Sequence, residues 1–187
     1  MAGLSEGEVR TGARYEAERS AVRARLASTA GLRRLDLDDG LALVFETRET
    51  VRTALEELLR AERTADPAGI AAEAPAFSEL LGGESDLVAT LYLDVADPVA
   101  LAERLAELRG IAAAVSLGIG VDRVPATPDM ADGMSGAFAL RFPLEAAQRS
   151  ALLDGAAVTV TVDHPGCRAR VTLGVEQVRA IAVDLRR

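Results

Sequence analysis

From residue 87 onward the chain spells out the same order of elements twice, and this repeat constrains its fold more than any other feature. Residues 87–95 read as a strand, Asp97-Pro98 opens a helix that Gly110 ends, and residues 112–117 read as a second strand. The stretch Gly118-Ile119-Gly120 turns the chain into a further strand, 121–124. After a loop at 125–136 the order returns. Strand 137–142 precedes a helix over 144–153, which stops at Asp154-Gly155. Strand 157–162, the turn Asp163-His164-Pro165-Gly166 and strand 167–173 then follow. A glycine ends such helices because the residue past the last turn needs positive φ, where a Cβ is crowded. Two strand–helix–strand–strand units, 87–124 and 137–173, pack most simply as one mainly antiparallel sheet. Helices then cover one face, and a pseudo-twofold axis relates the halves. The expected class is α+β.

Upstream, residues 5–30 have the pattern of a polar helix, with Tyr15, Val22 and Leu26 on one narrow stripe. Such a helix buries little by itself and needs a partner surface. Alternation over 33–37, the turn Asp38-Asp39-Gly40 and the apolar run 41–45 predict a β-hairpin. Over 48–63 the spacing becomes helical: Val51, Ala54, Leu55, Leu58 and Leu59 share one face, and Arg52, Glu56, Arg60 and Arg63 fall on the other. The run 41–63 thus reads as a third strand–helix element. Asp66-Pro67 opens a helix that Pro75 is expected to interrupt. Val178, Ile181, Ala182 and Leu185 mark a last helix over 175–185. The expected organisation is a polar helix at 1–32 and a single α+β domain over 33–187.

Composition narrows the chemistry. The 187 residues include one histidine and one cysteine, carry a formal charge of -8, and lack lysine, asparagine and tryptophan; all 21 basic residues are arginine. Codon bias in a GC-rich genome accounts for that pattern without invoking function. One thiol excludes an internal disulfide framework, and one imidazole excludes a zinc finger or a His-Glu-x-x-His peptidase. Without lysine there is neither a Schiff base nor the phosphate-binding lysine of a P-loop. No apolar segment approaches the roughly 18 residues of a membrane span, and the lone cysteine suits a reducing, cytoplasmic location.

Several residues attract attention, each with a plainer alternative. Glu62 falls inside the apolar stripe of helix 48–63, which would desolvate its carboxylate, unless the helix frays by Ala61 and lets it reach solvent. Arg48 projects on the same side at the other end. His164 sits beside Asp163 and near Cys167, a nucleophile–base arrangement if the side chains face one another and otherwise a turn histidine. Cys167 at a strand start also suits simple packing. The N-terminal arginines Arg10, Arg14, Arg19, Arg23, Arg25, Arg33 and Arg34 form a locally basic segment that would suit phosphates or an acidic partner. Interleaved Glu6, Glu8, Glu16 and Glu18, the negative net charge and the few aromatics argue against nucleic acid. Asp129 and Asp132 lie in the 125–136 loop without the spacing of a calcium loop.

Phe45-Glu46 through Glu62-Arg63, Ala89-Thr90-Leu91 with Asp97-Pro98, Arg141-Phe142-Pro143-Leu144 and Asp163-His164-Pro165 resemble the bacterial domain of unknown function 3501 family. The resemblance runs from about Tyr15 to the C-terminus. It brings no established activity. It implies genes neighbouring those for rubrerythrin-type proteins and iron–sulfur reductase subunits, and so a link to oxidative-stress or redox metabolism. This chain departs from the family pattern: Ala54 and Leu58 stand where relatives tend to have glutamine and methionine. Phe138 stands where they tend to have histidine, and Cys167 where they tend to have tyrosine.

The reading these features favour is a non-enzymatic, cytoplasmic binding or accessory protein. It would act through surfaces as a homo-oligomer or with a protein partner on its first helix. No nucleic acid, membrane, metal or cofactor is assigned. The alternative is a small-molecule or metal-dependent enzyme of redox or detoxification metabolism, with a pocket drawn from Glu46, Arg48, Glu57, Glu62, Arg141 and His164.

Overall fold

The computed structural model describes residues 3–38, 40–128 and 136–186. They fall into two compact units: one holds the residues up to Gly31 together with Glu46–Gly82, the other holds Leu32–Phe45 and the residues from Gly83 on. The division thus differs from the one expected at residue 32. The run 41–63, read as one strand–helix element, is split at Phe45/Glu46, because its strand and its helix belong to different cores.

The second unit carries every strand among the described residues: β1 (Arg34–Asp38), β2 (Leu41–Phe45), β3 (Asp86–Leu93), β4 (Val115–Ile119), β5 (Asp122–Pro125), β6 (Thr127–Pro128), β7 (Ala137–Pro143), β8 (Val158–His164) and β9 (Cys167–Thr172). The α+β class holds, but the expected single sheet is two. One has the order β1-β2-β3-β7-β6 and the other β5-β4-β8-β9. All pairings are antiparallel. The repeat explains the arrangement. First strands pair with each other, as in Ala89↔Leu140 of β3 and β7, and second strands do likewise, as in Leu117↔Val160 of β4 and β8. Antiparallel pairing of corresponding strands, once in each sheet, is the arrangement a pseudo-twofold relation between the two units would produce.

Strict alternation buries Leu87, Ala89, Leu91 and Leu93 of β3 and leaves the residues between them partly exposed. One core then joins both sheets through Leu43, Leu91, Phe142, Leu117 and Val160, all 0% exposed. Each such side chain stabilises by roughly 1.5–3 kcal/mol, and truncating Leu117 to alanine costs about 2–5 kcal/mol. The helices of this unit are α4 (Pro98–Glu107), α5 (Ala146–Leu153) and α6 (Val175–Ala182). Residues 111–114, expected to enter a strand, form a 3-10 turn before β4. Gly118 lies inside β4, and the hairpin turn is made at Gly120 (φ +59°).

The first unit is helical. A 3-10 turn (Glu6–Glu8) and an extended stretch precede α1 (Gly12–Ala30), so the helix expected from residue 5 starts later. Thr47 caps α2 (Arg48–Ala61), its Oγ1 accepting from the Thr50 N–H at 3.1 Å. Asp66 caps α3 (Pro67–Glu79) by accepting from the Gly69 N–H at 2.9 Å. Pro75 does not break α3. An interior proline costs about 3 kcal/mol, and burial of Ile70 and Ala74 on the same helix offsets that cost. The core comprises Leu4, Val9, Val51, Leu55, Leu59, Ile70, Ala74 and Leu81.

The end of α2 decides the question raised by Glu62. The Thr64 N–H donates to the Leu59 carbonyl at 2.8 Å and the Arg63 N–H to that of Arg60 at 3.1 Å, with Arg63 at φ +57°. This left-handed cap ends the helix one residue early and leaves Glu62 exposed at the C-cap. Of the two readings of Glu62, the helix ending at Ala61 with the carboxylate in solvent is the one the structure has.

Candidate functional site

The polar face of α2, which the periodicity assigns to solvent, is covered by the chain's own first segment. Glu56 is 1% exposed and Arg10 6% exposed. Arg10 donates three hydrogen bonds to the Glu56 carboxylate: Nε to Oε1 at 2.8 Å, Nη2 to Oε2 at 2.6 Å and the backbone N–H to Oε1 at 2.9 Å. Its Nη1 reaches Glu18 at 3.0 Å, and its guanidinium lies 5.8 Å from the Tyr15 ring centre. The planar fork of arginine matches the carboxylate, which makes this pair a clamp between the N-terminal segment and α2.

Beside the clamp, Glu57 accepts from the Tyr15 hydroxyl at 2.9 Å and from Arg19 Nε at 2.8 Å and Nη2 at 3.2 Å. The hydrogen bonds from Arg19 lead in holding the Glu57 carboxyl below the usual carboxylate range. Burial first, then the hydrogen bond to Glu57, pushes the Tyr15 phenol up to about 12. Arg48 grips Glu8 at 3.0 and 2.8 Å and lowers it to about 2. The hydrogen bonds and burial around these groups keep Glu8 and Glu57 ionised and the Tyr15 phenol protonated across the neutral range.

A recess of about 400 Å³ opens between α1 and α2, lined by Arg19, Arg23, Leu26, Thr53 and Glu57. Thr53 is 7% exposed, and its Oγ1 has no hydrogen-bond partner among the described residues. Arg23 makes no hydrogen bond or ion pair there either, although its charge contributes to lowering Glu57. A larger groove of about 550 Å³ lies on the second unit's β5-β4-β8-β9 sheet, lined by Ser116, Gly118, Thr159 and Thr161 with Arg123 and Arg170.

Of the residues singled out from sequence, Glu57 belongs to this network. Glu46 accepts from the Thr50 hydroxyl at 2.5 Å, and Arg48 holds Glu8 and the Gly3 carbonyl. In the second unit Arg141 pairs with Asp86 at 2.9 Å. His164 is fixed by its turn: Nδ1 accepts from the Gly166 N–H at 3.0 Å, so Nε2 is the donor to the Arg109 carbonyl at 3.1 Å. Both ring nitrogens are thus engaged by backbone, and Cys167 is buried opposite His164 in the strand register. Asp129 and Asp132 lie outside the described residues. Among the described residues no cluster of three or more acidic, histidine or cysteine side chains could hold a metal ion, and no helix is long and apolar enough to cross a membrane.

Sequence reasoning named Arg10 among the N-terminal arginines but did not foresee its burial against Glu56, and it missed Glu56 and Thr53 as site residues. The signal available was the coincidence of an arginine-rich first segment with adjacent glutamates on α2.

A family model described as a protein of unknown function, DUF3501, matches residues 4–185. A crystal structure of a novel protein of unknown function from Burkholderia pseudomallei K96243 is similar at 27% identity, with a TM-score of 0.90. It covers 98% of this chain and 100% of that one. No curated protein matches the sequence.

Proposed function

We propose that this chain, which belongs to the DUF3501 family of proteins of unknown function, is a binding or accessory protein that works through the exposed surface of α1. The observation that carries this reading is the state of its acidic groups. Glu8 and Glu57 are held ionised by arginines, and Glu56 is enclosed by Arg10. A carboxyl serving as general acid would have to be tuned upward toward neutral pH, and Glu8 and Glu57 are lowered instead. A link to redox metabolism rests on the family's gene neighbourhoods alone and gains nothing from this geometry.

Recognition is supported by the helix itself. Of the 19 residues of α1 only Tyr15 and Val22 are buried, and Arg14 and Arg23 have no ionic partner among the described residues. Unpaired guanidiniums on a protein of net charge -8 suit an acidic protein surface, and a second copy of this chain offers one. Light scattering across a hundredfold concentration range tests the reading. The mass should rise with concentration, and the rise should vanish at high salt and in the Arg14→Glu/Arg23→Glu variant. A salt-insensitive monomer throughout would remove the second copy as partner.

A further inference from the structure

We infer that the recess between α1 and α2 binds a small oxyanion, a carboxylate or phosphate group, held by Arg23 and Thr53. A threonine inside a helix normally gives its hydroxyl to the carbonyl three or four residues back. Thr53 does not: its Oγ1 is buried and unpaired. Such a group is costly to keep and rare in folded proteins, so it calls for an occupant. Threonine has two accessible χ1 rotamers in a helix, so the hydroxyl can turn toward whatever enters the recess that Thr53 lines.

The charges select the occupant. Two guanidiniums, Arg19 and Arg23, face one carboxylate, Glu57, leaving a net positive recess in an acidic protein. Glu57 is already satisfied by Arg19 and Tyr15, which limits its repulsion of an incoming anion. Arg19 offers Nη1, which makes no bond, and Arg23 offers its whole fork. Leu26 supplies the apolar side. The volume, about 400 Å³, holds a small molecule and not a folded segment.

Calorimetric titration of the full chain at low ionic strength, with inorganic phosphate and separately with propionate, tests the assignment. One saturable site for either anion is expected. Arg23→Ala should weaken it at least tenfold, Thr53→Val about tenfold, and Thr53→Ser should restore it. Thr53→Val should melt no lower than the parent, which separates lost binding from lost folding. Saturation by phosphate alone assigns a phosphate, and by propionate alone a carboxylate. Failure of both anions to saturate overturns the inference, as does parental affinity in Thr53→Val and Arg23→Ala. Neither result touches self-association through α1, which is read by mass.

Discussion

Replacing Glu56 by leucine removes a carboxylate that accepts three hydrogen bonds from Arg10 in a site 1% exposed. The substitution leaves a buried guanidinium facing a hydrocarbon, which costs about 3–5 kcal/mol. It also orphans the Arg10 backbone N–H, for about 1–3 kcal/mol more. Arg10→Met leaves the opposite defect: Glu56 keeps the backbone N–H and an Arg52 Nε at 3.7 Å, so the loss is about 3–5 kcal/mol. The double variant has no buried charge and one unpaired amide, for about 1–3 kcal/mol. The expected order of destabilisation is therefore Glu56→Leu, then Arg10→Met, then the double variant. At roughly 2–4 °C per kcal/mol for a chain of this size, Glu56→Leu should lower the melting temperature by at least about 8 °C. Urea unfolding followed by circular dichroism measures all four corners of the cycle. A double variant less stable than both singles, or a Glu56→Leu loss below about 1 kcal/mol, would show that the clamp is not desolvated as described.

Arg63→Gly should stabilise the protein by about 0.5–1 kcal/mol in the same assay, because glycine takes φ +57° without the Cβ clash and Arg63 has no partner to lose. Glu8, lowered from 4.5 to about 2, contributes stability that is complete above pH 4.5 and lost as the pH falls toward 2. With the Glu8 side chain 37% exposed the amount is below about 1 kcal/mol, and Arg48→Met should flatten that part of the melting-temperature profile. Tyr15, raised to about 12, stabilises below pH 10 and ceases to do so as the pH rises through 12. An ultraviolet titration should show one phenol ionising near 12, moved down only in part by Glu57→Gln because burial leads the shift.

The local elements were readable because each follows from neighbours in sequence. The alternation in β3, the proline-opened α3 and α4, and the stripe of α2 all show without tertiary information. The number of sheets was not readable, because it depends on which strand meets which. Nothing in 115–119 says that it pairs with 158–162 and leaves 86–93 to another sheet. The candidate site failed for a related reason. Periodicity assigns Glu56 to the polar face of α2, and that assignment is right, but periodicity does not say whether a polar face is wet. An arginine forty-six residues away keeps that face dry. The end of α2 was open in sequence, since a left-handed arginine at Arg63 carries no glycine to announce it.

The way equivalent strands meet has a further consequence for how this architecture arose and can be taken apart. Neither copy of the motif completes a sheet alone: its first strand pairs with the first strand of the other, and its second strand has one neighbour within the copy and one in the other. A polypeptide bearing a single copy would therefore lack a neighbour for its leading strand, and excising either copy should undo both sheets together.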